Sequence, residues 1–431
     1  MPRGPHAILF RLYLVYSVLL AIGFVLALPY YLWKGRSTGK YVASFRERMG
    51  RFPAPLNAGG QPSIWIHAVS VGEVLAARAL VGPLKERFPG RPIFVSTTTV
   101  TGNAVARQSV RAADGLLFAP FDWPGPVRRA LAALDPALLV LVETELWPNL
   151  IHEARRRGTR VALVNGRISP RSYPRYRRIR RWLRPMLAEV DVFLMQGEAH
   201  AQRVRDMGAP PERVKVTGNL KFDSLGEART PEPLARLIGS GGPLWIAGST
   251  AAGEEALVLQ ALREVRRREP AARLLLAPRH PERFGEAAAI VEAAGFRVAR
   301  RTALTRPWAD EDVLVLDTLG ELAQVYPLAS VVFVGGSLVP AGGHNVLEAA
   351  VAGKAVIVGP HMENFQEVAD EFLAEGALVR VGSAGELADE VTALLADPPR
   401  RDAIGERAKA LILRNRGAMR GTVDALAGLV A

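Results

Sequence analysis

The sequence predicts an α/β protein built from two doubly wound parallel sheets, and three observations carry this prediction. Short apolar runs alternate with longer segments of helical periodicity, which is typical of strands buried on both faces of a parallel sheet. The alternation stops near the middle of the chain, at a stretch rich in glycine and proline, and then begins again. The chain has 431 residues, which is too many for one ordinary hydrophobic core.

The predicted elements give the domain boundaries. In the first half, strands are predicted at residues 64–68, 92–96, 138–143, 160–165 and 190–196, with helices at residues 72–88 and 101–112. In the second half, strands are predicted at residues 244–247, 273–277, 313–316, 331–334 and 355–358, with helices at residues 252–268 and about 402–429. We expect an N-terminal domain over residues 40–228, a linker over 229–243 and a C-terminal domain over 244–431. Each domain should present its strand-end loops to a cleft between the two.

Residues 1–39 are predicted to anchor the chain in a membrane. Residues 12–33 contain no charged side chain and exceed the roughly 20 apolar residues that span a bilayer. Tyr30, Tyr31 and Trp33 stand where an interfacial aromatic belt would lie. Lysine and arginine are more frequent after the span than before it, so we expect one transmembrane helix and a cytoplasmic body. A cleaved signal peptide is the alternative, but its apolar core usually has only ~7–15 residues.

The formal net charge of +13 predicts an anionic partner. Residues 155–184 contain twelve arginines, interleaved with Tyr173, Tyr176 and Trp182. Such a segment suits nucleic acid, but the anchor in the same chain favours an anionic membrane surface, and no nucleic-acid partner is expected. Scattered, solvated arginines are the remaining alternative. The chain contains no cysteine, which excludes disulfides and a cysteine nucleophile.

A glycine-rich loop follows the predicted strand at residues 331–334. It contains Gly335-Gly336-Ser337 and then GGHNVLE at residues 342–348. Glycine lets a ligand approach the backbone closely, and the N–H groups at the start of the following helix attract anions. We therefore expect a phosphate-binding site in this loop, with Asn345 and Glu348 bonding phosphate or ribose oxygens.

Other loops of the second half are expected to reach the same site. One strand ends at Pro278 and Arg279, where the arginine can bind a phosphate or a base. Another ends in DTLGEL at residues 317–322, whose backbone can meet the base. Ser249 or Thr250 is predicted to cap the helix that follows the first strand of this half.

The first half carries the residues suited to acid–base chemistry. Glu73 lies in the first turn of a predicted helix, directly after a strand, where it either acts as a base or only complements the helix dipole. A buried apolar run ends in ETELWPN, so Glu143 and Glu145 terminate a strand, which is rarely a structural arrangement. Lys221 follows in GNLKFD, and two carboxylates with a lysine suit an acid–base site. No cluster of histidines and carboxylates has metal-ligand spacing, so neither a metal nor another cofactor is expected.

Six of these segments, taken in order, resemble the motif series of the 3-deoxy-D-manno-octulosonic acid (Kdo) transferases. They are HAVSVGE (67–73), ETELWPN (143–149), GNLKFD (218–223), APRHPERF (277–284), DTLGEL (317–322) and GGHNVLE (342–348). The resemblance extends over nearly the whole chain, including the N-terminal anchor. It implies a GT-B fold, in which two Rossmann-like domains face a cleft and the C-terminal one binds most of the sugar nucleotide.

The resemblance also implies the substrates and the site residues. The donor would be CMP-Kdo, the acceptor a lipid A precursor, and the transfer an inverting displacement. Glu73 is similar to the family's general base, while Glu143 and Lys221 match positions that assist the transition state. The residues that match the CMP site are Pro278, Arg279, Gly320, Glu321, Leu322, Asn345, Val346, Leu347 and Glu348. Ala349 departs from the family pattern, which more often has proline there, and we expect no disturbance of Asn345 or Glu348.

Two other classes of function fit parts of the sequence. A nucleotide-sugar epimerase could share the two-domain fold, but it would need neither an anchor nor a basic patch facing lipid. A non-catalytic membrane tether for nucleic acid would explain the anchor and the charge, but it leaves the glycine loops and the carboxylates of ETELWPN without a role. Binding of CMP rather than of an RNA oligomer separates these alternatives.

Overall fold

The computed structural model describes residues 13–26, 44–52, 55–223, 228–239 and 241–430. These residues pack into two compact units. Unit 1 comprises the described residues up to 223 together with residues 416–430, and unit 2 comprises the described residues from 228 to 415. Parts of the predicted membrane span, namely residue 12 and residues 27–33, lie outside the described residues.

Unit 1 is built around a parallel sheet of seven strands. The strands are β1 (Ser63–Ala68), β2 (Ile93–Thr97), β3 (Gly115–Phe118), β4 (Pro136–Val142), β5 (Arg160–Gly166), β6 (Val192–Met195) and β7 (Val214–Val216). Their order is β3-β2-β1-β4-β5-β6-β7. The order reverses direction between β1 and β4, which is the switch point where a doubly wound sheet opens a crevice for ligands.

Helices cover both faces of this sheet. They are α1 (residues 13–26), α2 (Phe45–Arg48), α3 (Val71–Arg87), α4 (Val100–Ser109), α5 (Pro124–Leu134), α6 (Pro148–Arg156), α7 (Tyr173–Arg178), α8 (Arg180–Leu187), α9 (Glu198–Met207) and α10 (Leu220–Asp223). Neighbouring residues of β1 enter different cores: Trp65 packs on one face of the sheet and Ile66 on the other. Strand β4 is apolar throughout because both of its faces are buried, which is the pattern the sequence showed.

Unit 2 repeats the architecture with a second parallel sheet of seven strands, in the order β10-β11-β9-β8-β12-β13-β14. The strands are β8 (Leu244–Thr250), β9 (Arg273–Pro278), β10 (Val298–Arg300), β11 (Val313–Val315), β12 (Val331–Val334), β13 (Ala355–Val358) and β14 (Val379–Arg380). The helices are α11 (Glu232–Ile238), α12 (Glu254–Arg268), α13 (Phe284–Ala293), α14 (Leu322–Val325), α15 (Leu347–Val351), α16 (Gln366–Ala374), α17 (Ala384–Ala396) and α18 (Pro398–Asn415). Here the switch point lies between β8 and β12. Two doubly wound parallel sheets are the fold that the sequence predicted.

Two boundaries differ from the expected ones. The stretch predicted as a linker contains α11, because Pro231 is the N-cap of that helix and Pro233 lies in its first turn, where proline is tolerated, and Leu234 is buried. The single closing helix expected at the C-terminus is two helices, α18 and α19 (Ala418–Val430), separated at Gly417, whose φ is 96°. Helix α19 belongs to unit 1, where Leu426 enters the core beside α3.

Helix α1 packs on unit 1 through polar and aromatic side chains. The Tyr13 hydroxyl donates to Glu189, and the Tyr16 hydroxyl donates to Asp122 over 2.9 Å. Phe24 meets the Trp123 ring edge-on, with the ring centroids 4.9 Å apart. The opposite face is apolar and exposed, and it comprises Leu14, Val15, Val18, Leu19, Ile22, Val25 and Leu26. Among the helices within the described residues, none combines the length and the apolar character needed to cross a membrane.

Candidate active site

Glu73 lies at the switch point of unit 1, in the first turn of the helix that follows β1. Its carboxylate accepts hydrogen bonds from the Val69 N–H and from the Ser70 hydroxyl, each over 2.7 Å. The residue is only 7% exposed. These bonds close the N-terminus of α3, so the structural role left open by the sequence is present. That role does not exclude a chemical one.

The electrostatic surroundings of Glu73 favour the protonated form. The pKa of Glu73 is raised to about 7: burial raises it most and the carboxylates of Glu145 and Glu143 also raise it, while its two hydrogen bonds lower it. A carboxyl group with a pKa near neutrality exchanges protons at working pH, which is the property of a general base. The loops after β1 and β4 therefore bring three carboxylates within electrostatic range.

Glu143 leaves β4 in a left-handed conformation, with φ of 61°, and its side chain is buried. Such a backbone conformation is uncommon for a residue other than glycine and concentrates at functional sites. The carboxylate pairs with Arg167 Nε at 2.7 Å and with Lys221 Nζ at 3.7 Å. The structure thus brings together Glu143 and Lys221, which the sequence placed 78 positions apart.

Lys221 is held in position by the end of the neighbouring strand. It lies on α10, whose first residue, Leu220, donates its backbone N–H to Asn165 Oδ1 over 3.1 Å. Asn165 sits in β5 with φ of 54° and is fully buried. Its Nδ2 has no hydrogen-bond partner among the described residues. Two adjacent strands, β4 and β5, therefore carry left-handed residues at this edge, and both contact the Lys221 segment.

Sequence reasoning missed two residues of this site. Arg167 was counted among the arginines of the basic segment, and Asn165 was the end of a predicted strand, although NGR directly after an apolar run was the available signal. Glu145 was predicted to belong to the acid–base site, as its second carboxylate. Burial and the charge of Glu143 raise the pKa of Glu145, against a 2.6 Å hydrogen bond from Trp147 Nε1.

His67 supports the same edge of the sheet. Its Nδ1 is 2.9 Å from Ser96 Oγ, and its ring meets Trp147 edge-on with the centroids 4.8 Å apart. Burial lowers the pKa of His67 to about 3, so the ring is neutral. We assign His67 to packing between β1 and the ETELWPN segment.

In unit 2, the loops after β9 and β12 converge. Arg279 follows β9 with its backbone N–H bonded to the Thr250 carbonyl at 3.0 Å, and its side chain is exposed. The pKa of His344 is lowered to about 4, mostly by burial and in addition by the charges of Arg279 and His280. Burial raises the pKa of Glu348, while Asn345 and Arg279 lower it. Arg279 is therefore within electrostatic range of both His344 and Glu348 in the GGHNVLE loop, as the sequence predicted.

The GGHNVLE loop is fixed by its own polar groups. Asn345 Oδ1 accepts from the Leu347 N–H over 3.1 Å, and Asn345 Nδ2 donates to Glu348 over 3.2 Å. Val346 and Leu347 are buried, as is Pro278 at the end of β9, so these three position the backbone. A ligand would meet the loop through Glu348, Asn345 and main-chain groups.

The DTLGEL loop follows β11. Glu321 accepts from Thr318 Oγ1 over 2.7 Å and from Arg301 over 2.9 Å, which fixes its carboxylate at the start of α14. Gly320 has φ of 83° and open space where a side chain would stand. Leu322 begins α14. The exposed backbone at Gly320 is thus accessible to a planar group.

Two expectations for unit 2 are wrong. Ser249 and Thr250 do not cap α12, because its N-cap is Gly253; Ser249 has φ of 57°, and Thr250 Oγ1 donates to Glu255 over 3.0 Å. The N–H groups of the Gly335-Gly336-Ser337 turn are not open to a phosphate, because those of Gly336 and Ser337 already donate to Glu254.

Comparison with known proteins defines the class and then the family. The chain has the fold of a UDP-GlcNAc 2-epimerase from Neisseria meningitidis, with a TM-score of 0.56 over 84% of this chain and 99% of that one, at 13% identity. Residues 310–411 match the glycosyl transferases group 1. The fold is therefore of the GT-B type, and part of unit 2 matches a glycosyltransferase family.

The family follows from more similar relatives. Residues 43–224 match the 3-deoxy-D-manno-octulosonic-acid transferase (kdotransferase) family. A 3-deoxy-D-manno-octulosonic acid transferase from Bordetella pertussis is 41% identical over 89% of this chain and 90% of its own length. The enzyme of the same description from Haemophilus influenzae is 34% identical over 90% and 91%. The chain belongs to the Kdo transferase family.

Proposed function

We propose that the protein is an inverting glycosyltransferase that moves Kdo from CMP-Kdo to a lipid A precursor in lipopolysaccharide synthesis. The observation that carries the proposal is the arrangement at the switch point of unit 1. There, a glutamate with a pKa of about 7 lies near Glu143, which is paired with Arg167 and Lys221. Membership in the Kdo transferase family supplies the identity of the transferred sugar.

Glu73 is the proposed general base. A sugar hydroxyl is a weak acid, so its attack on the anomeric carbon is assisted when a carboxylate accepts the proton as the new bond forms. One base and a single displacement invert the anomeric centre. We assign Glu143 and Lys221 to the stabilisation of charge that develops in the transition state, because they are fixed in advance by Arg167 and Asn165.

The loops of unit 2 are the proposed nucleotide site. Arg279 supplies positive charge beside the leaving phosphate, which requires no metal ion or other cofactor in this scheme. Glu348 is suited to the ribose hydroxyls, and Asn345 orients it through their shared hydrogen bond. The backbone of residues 320–322 is suited to the base.

We further propose that the N-terminal segment anchors the protein to the inner membrane, with both units on the cytoplasmic side. Polar contacts hold one face of α1 on unit 1, whereas Leu19, Val25 and Leu26 on the other face are each more than 60% exposed. Helices α7 and α8 add exposed arginines around Trp182, which is 56% exposed. An apolar helix face and a basic, aromatic surface in the same unit suit anionic lipid, and no nucleic-acid partner enters the proposal.

The activity is tested by incubating the purified protein with CMP-Kdo, with and without a lipid A precursor. We expect release of CMP and a gain of Kdo mass on the lipid only when the acceptor is present. An epimerase of the same fold would instead convert the sugar nucleotide without any acceptor. Failure to modify the lipid, or conversion of CMP-Kdo alone, would overturn the proposal.

The membrane proposal has its own test. The triple variant Leu19→Asp, Val25→Asp and Leu26→Asp should move protein from the membrane to the soluble fraction after cell breakage. Leu413→Asp, on α18, is the matched control because Leu413 is also an exposed leucine. Protease added to intact spheroplasts should leave both units uncut, and digestion would refute the cytoplasmic orientation.

A further inference from the structure

Glu254 is a carboxylate sealed inside unit 2 and bonded only to backbone N–H groups among its contacts in the described residues. One carboxylate oxygen accepts from Gly336 N at 2.5 Å and from Ala251 N at 2.9 Å. The other accepts from Ser337 N and Leu338 N, each at 2.8 Å. The residue is completely buried. Four donors satisfy both oxygens, so the side chain is held as a fixed internal anion.

The N–H groups of Gly336, Ser337 and Leu338 come from three consecutive residues after β12. Successive backbone N–H groups that point to one spot form an anion-binding concavity, which many nucleotide-binding proteins use for phosphate. This concavity lies at the switch point of the unit 2 sheet, because β12 and β8 are the strands that flank it. The place that the fold offers to a phosphate is therefore filled by a side chain of the protein.

The glycines of the turn show how closely it is packed. A Cβ on Gly335 would lie 2.7 Å from the Ser249 carbonyl oxygen and 2.8 Å from the Glu254 carboxylate. A Cβ on Gly336, whose φ is 67°, would lie 2.7 Å from the His344 ring. The turn is thus enclosed between Glu254 on one side and His344, a neighbour of Arg279, on the other. The N–H groups of the turn donate to Glu254, and the other side of the turn contacts the GGHNVLE loop of the proposed nucleotide site.

We propose that Glu254 determines the class of donor, by occupying the anion-binding turn so that the site accepts a nucleoside monophosphate sugar and gains nothing from a second phosphate. A diphosphate would place further negative charge toward a turn whose N–H groups are already used by a buried carboxylate. One phosphate, beside Arg279, needs no such donors. The inference rests on the proposed use of a CMP-linked donor, and it adds the residue that sets the number of phosphates.

The same contacts make Glu254 a positioning residue for the donor loop. Through the turn it supports His344, and the His344 loop continues directly into Asn345 and Glu348. Loss of the carboxylate leaves buried N–H groups unpaired, which is costly. We therefore expect CMP binding to depend on Glu254, although Glu254 does not touch the nucleotide.

Calorimetric titration of the full-length protein with CMP and with CDP tests the proposal. Wild-type protein should bind CDP no more tightly than CMP. Glu254→Gln removes the negative charge and places the N–H groups of the side-chain amide against backbone N–H groups of the turn. CMP affinity should therefore fall. The preference should also move toward CDP by about tenfold, the ratio expected when about 1.4 kcal/mol of charge repulsion is removed. Thr250→Val is the matched control, since it removes a buried hydrogen bond to Glu255 and leaves Glu254 in place.

Each result has one meaning. Tighter binding of CDP than of CMP by the wild-type protein would overturn the inference, and this comparison does not depend on whether a variant folds. An unchanged CMP-to-CDP ratio in folded Glu254→Gln, or the same change in Thr250→Val, would also overturn it. Absence of CMP binding by the wild-type protein would instead refute the proposed function itself.

Discussion

Units 1 and 2 place a glutamate at the same point of the same topology and give it opposite surroundings. In each unit, the central strand beside the switch point leads into a helix whose first turn carries the residue: β1 leads to Glu73 and β8 to Glu254. Glu73 accepts two hydrogen bonds, which lower its pKa, but burial first and then the nearby carboxylates raise the pKa to about 7. Glu254 accepts four backbone hydrogen bonds and is completely buried.

The difference shows that a doubly wound sheet fixes where the glutamate side chain lies but does not fix its chemical role. A carboxylate with few donors and like-charged neighbours is poised to accept a proton. A carboxylate that is saturated with N–H donors is a structural ion. The number of donors that the neighbouring loop presents, which is two in unit 1 and four in unit 2, decides between these roles.

The largest expected effect concerns Glu73. Glu73→Gln keeps the size of the side chain and an acceptor oxygen but cannot take up the proton, so turnover should fall by about 10²–10⁴-fold. CMP affinity should not change, because the proposed nucleotide site belongs to unit 2. Glu86→Gln, on the exposed end of the same helix, is the control and should retain activity. Near wild-type turnover in Glu73→Gln would shift the role of base to Glu143.

Stability measurements on the same variant separate the chemical from the structural role. Burial favours protonated Glu73, so the folded protein holds a proton that the unfolded chain releases, and stability falls as the pH rises toward about 7. Glu73→Gln should lose less stability over this range than the wild-type protein. If Glu73 only complemented the helix dipole, the variant would instead lose about 0.3–1 kcal/mol of stability and keep its turnover.

The next largest effects concern nucleotide binding. Arg279→Ala and Glu348→Ala should each weaken CMP binding by about 1–3 kcal/mol, the usual cost of removing a charged hydrogen-bonding partner. Arg268→Ala is the control, since Arg268 forms an exposed ion pair with Asp389 in the same unit. Calorimetric affinities equal to wild type in both variants would mean that CMP binds elsewhere.

A smaller effect is expected for Asn165. Asn165→Ala removes the acceptor that holds Leu220, so Lys221 should lose its fixed position while CMP affinity stays unchanged. One hydrogen bond of about 0.5–1.5 kcal/mol corresponds to a loss of roughly 2–10-fold in turnover. Asn165→Asp keeps the acceptor oxygen and should retain more activity than Asn165→Ala. Equal losses in the two variants would contradict the positioning role.

The smallest expected effect is a displacement of the pH profile. The rate should rise with pH through about 7 as Glu73 ionises. Glu145→Gln removes a negative charge that raises the pKa of Glu73, so the midpoint should move to lower pH with little change in the plateau rate. An unmoved midpoint of kcat/KM against pH would show that Glu73 is not the titrating group.

The order of the elements and the chemistry at the strand ends could be read from the sequence. Buried strands are recognisable as apolar runs; Glu143 and Arg279 lie at the ends of such runs, and Glu73 lies in the first turn of the helix that follows one. Sequence separation hides side-chain partners, so the pairing of Arg167 with Glu143 was not visible. The absence of metal and cofactor dependence stays a prediction, and it is checked by assaying activity after dialysis against a chelator.

Two features of unit 2 could not have been inferred. A glycine-rich turn before a helix has the same composition whether its N–H groups face a ligand or a side chain, and only the path of α12 brings Glu254 to the turn. Ser249 is a residue type that often caps a helix, but it has a left-handed conformation, and α12 begins only at Glu254, with Gly253 as its N-cap. Both outcomes depend on contacts between distant segments.

The return of the last helix to unit 1 has a practical consequence. In the sequence, unit 2 is inserted into unit 1, because the sheet of unit 1 precedes the insertion and the final helix of unit 1, α19, follows it. Asp223 lies where the chain leaves unit 1, and it accepts hydrogen bonds from Gly417 N and Met419 N, which lie where the chain returns to unit 1. These bonds hold the two segments together. A fragment that ends before residue 416 therefore lacks a core helix of unit 1, and apolar surface of unit 1 becomes exposed. Unit 2 is one uninterrupted stretch of sequence, so it can be expressed as a fragment with a single boundary at each end.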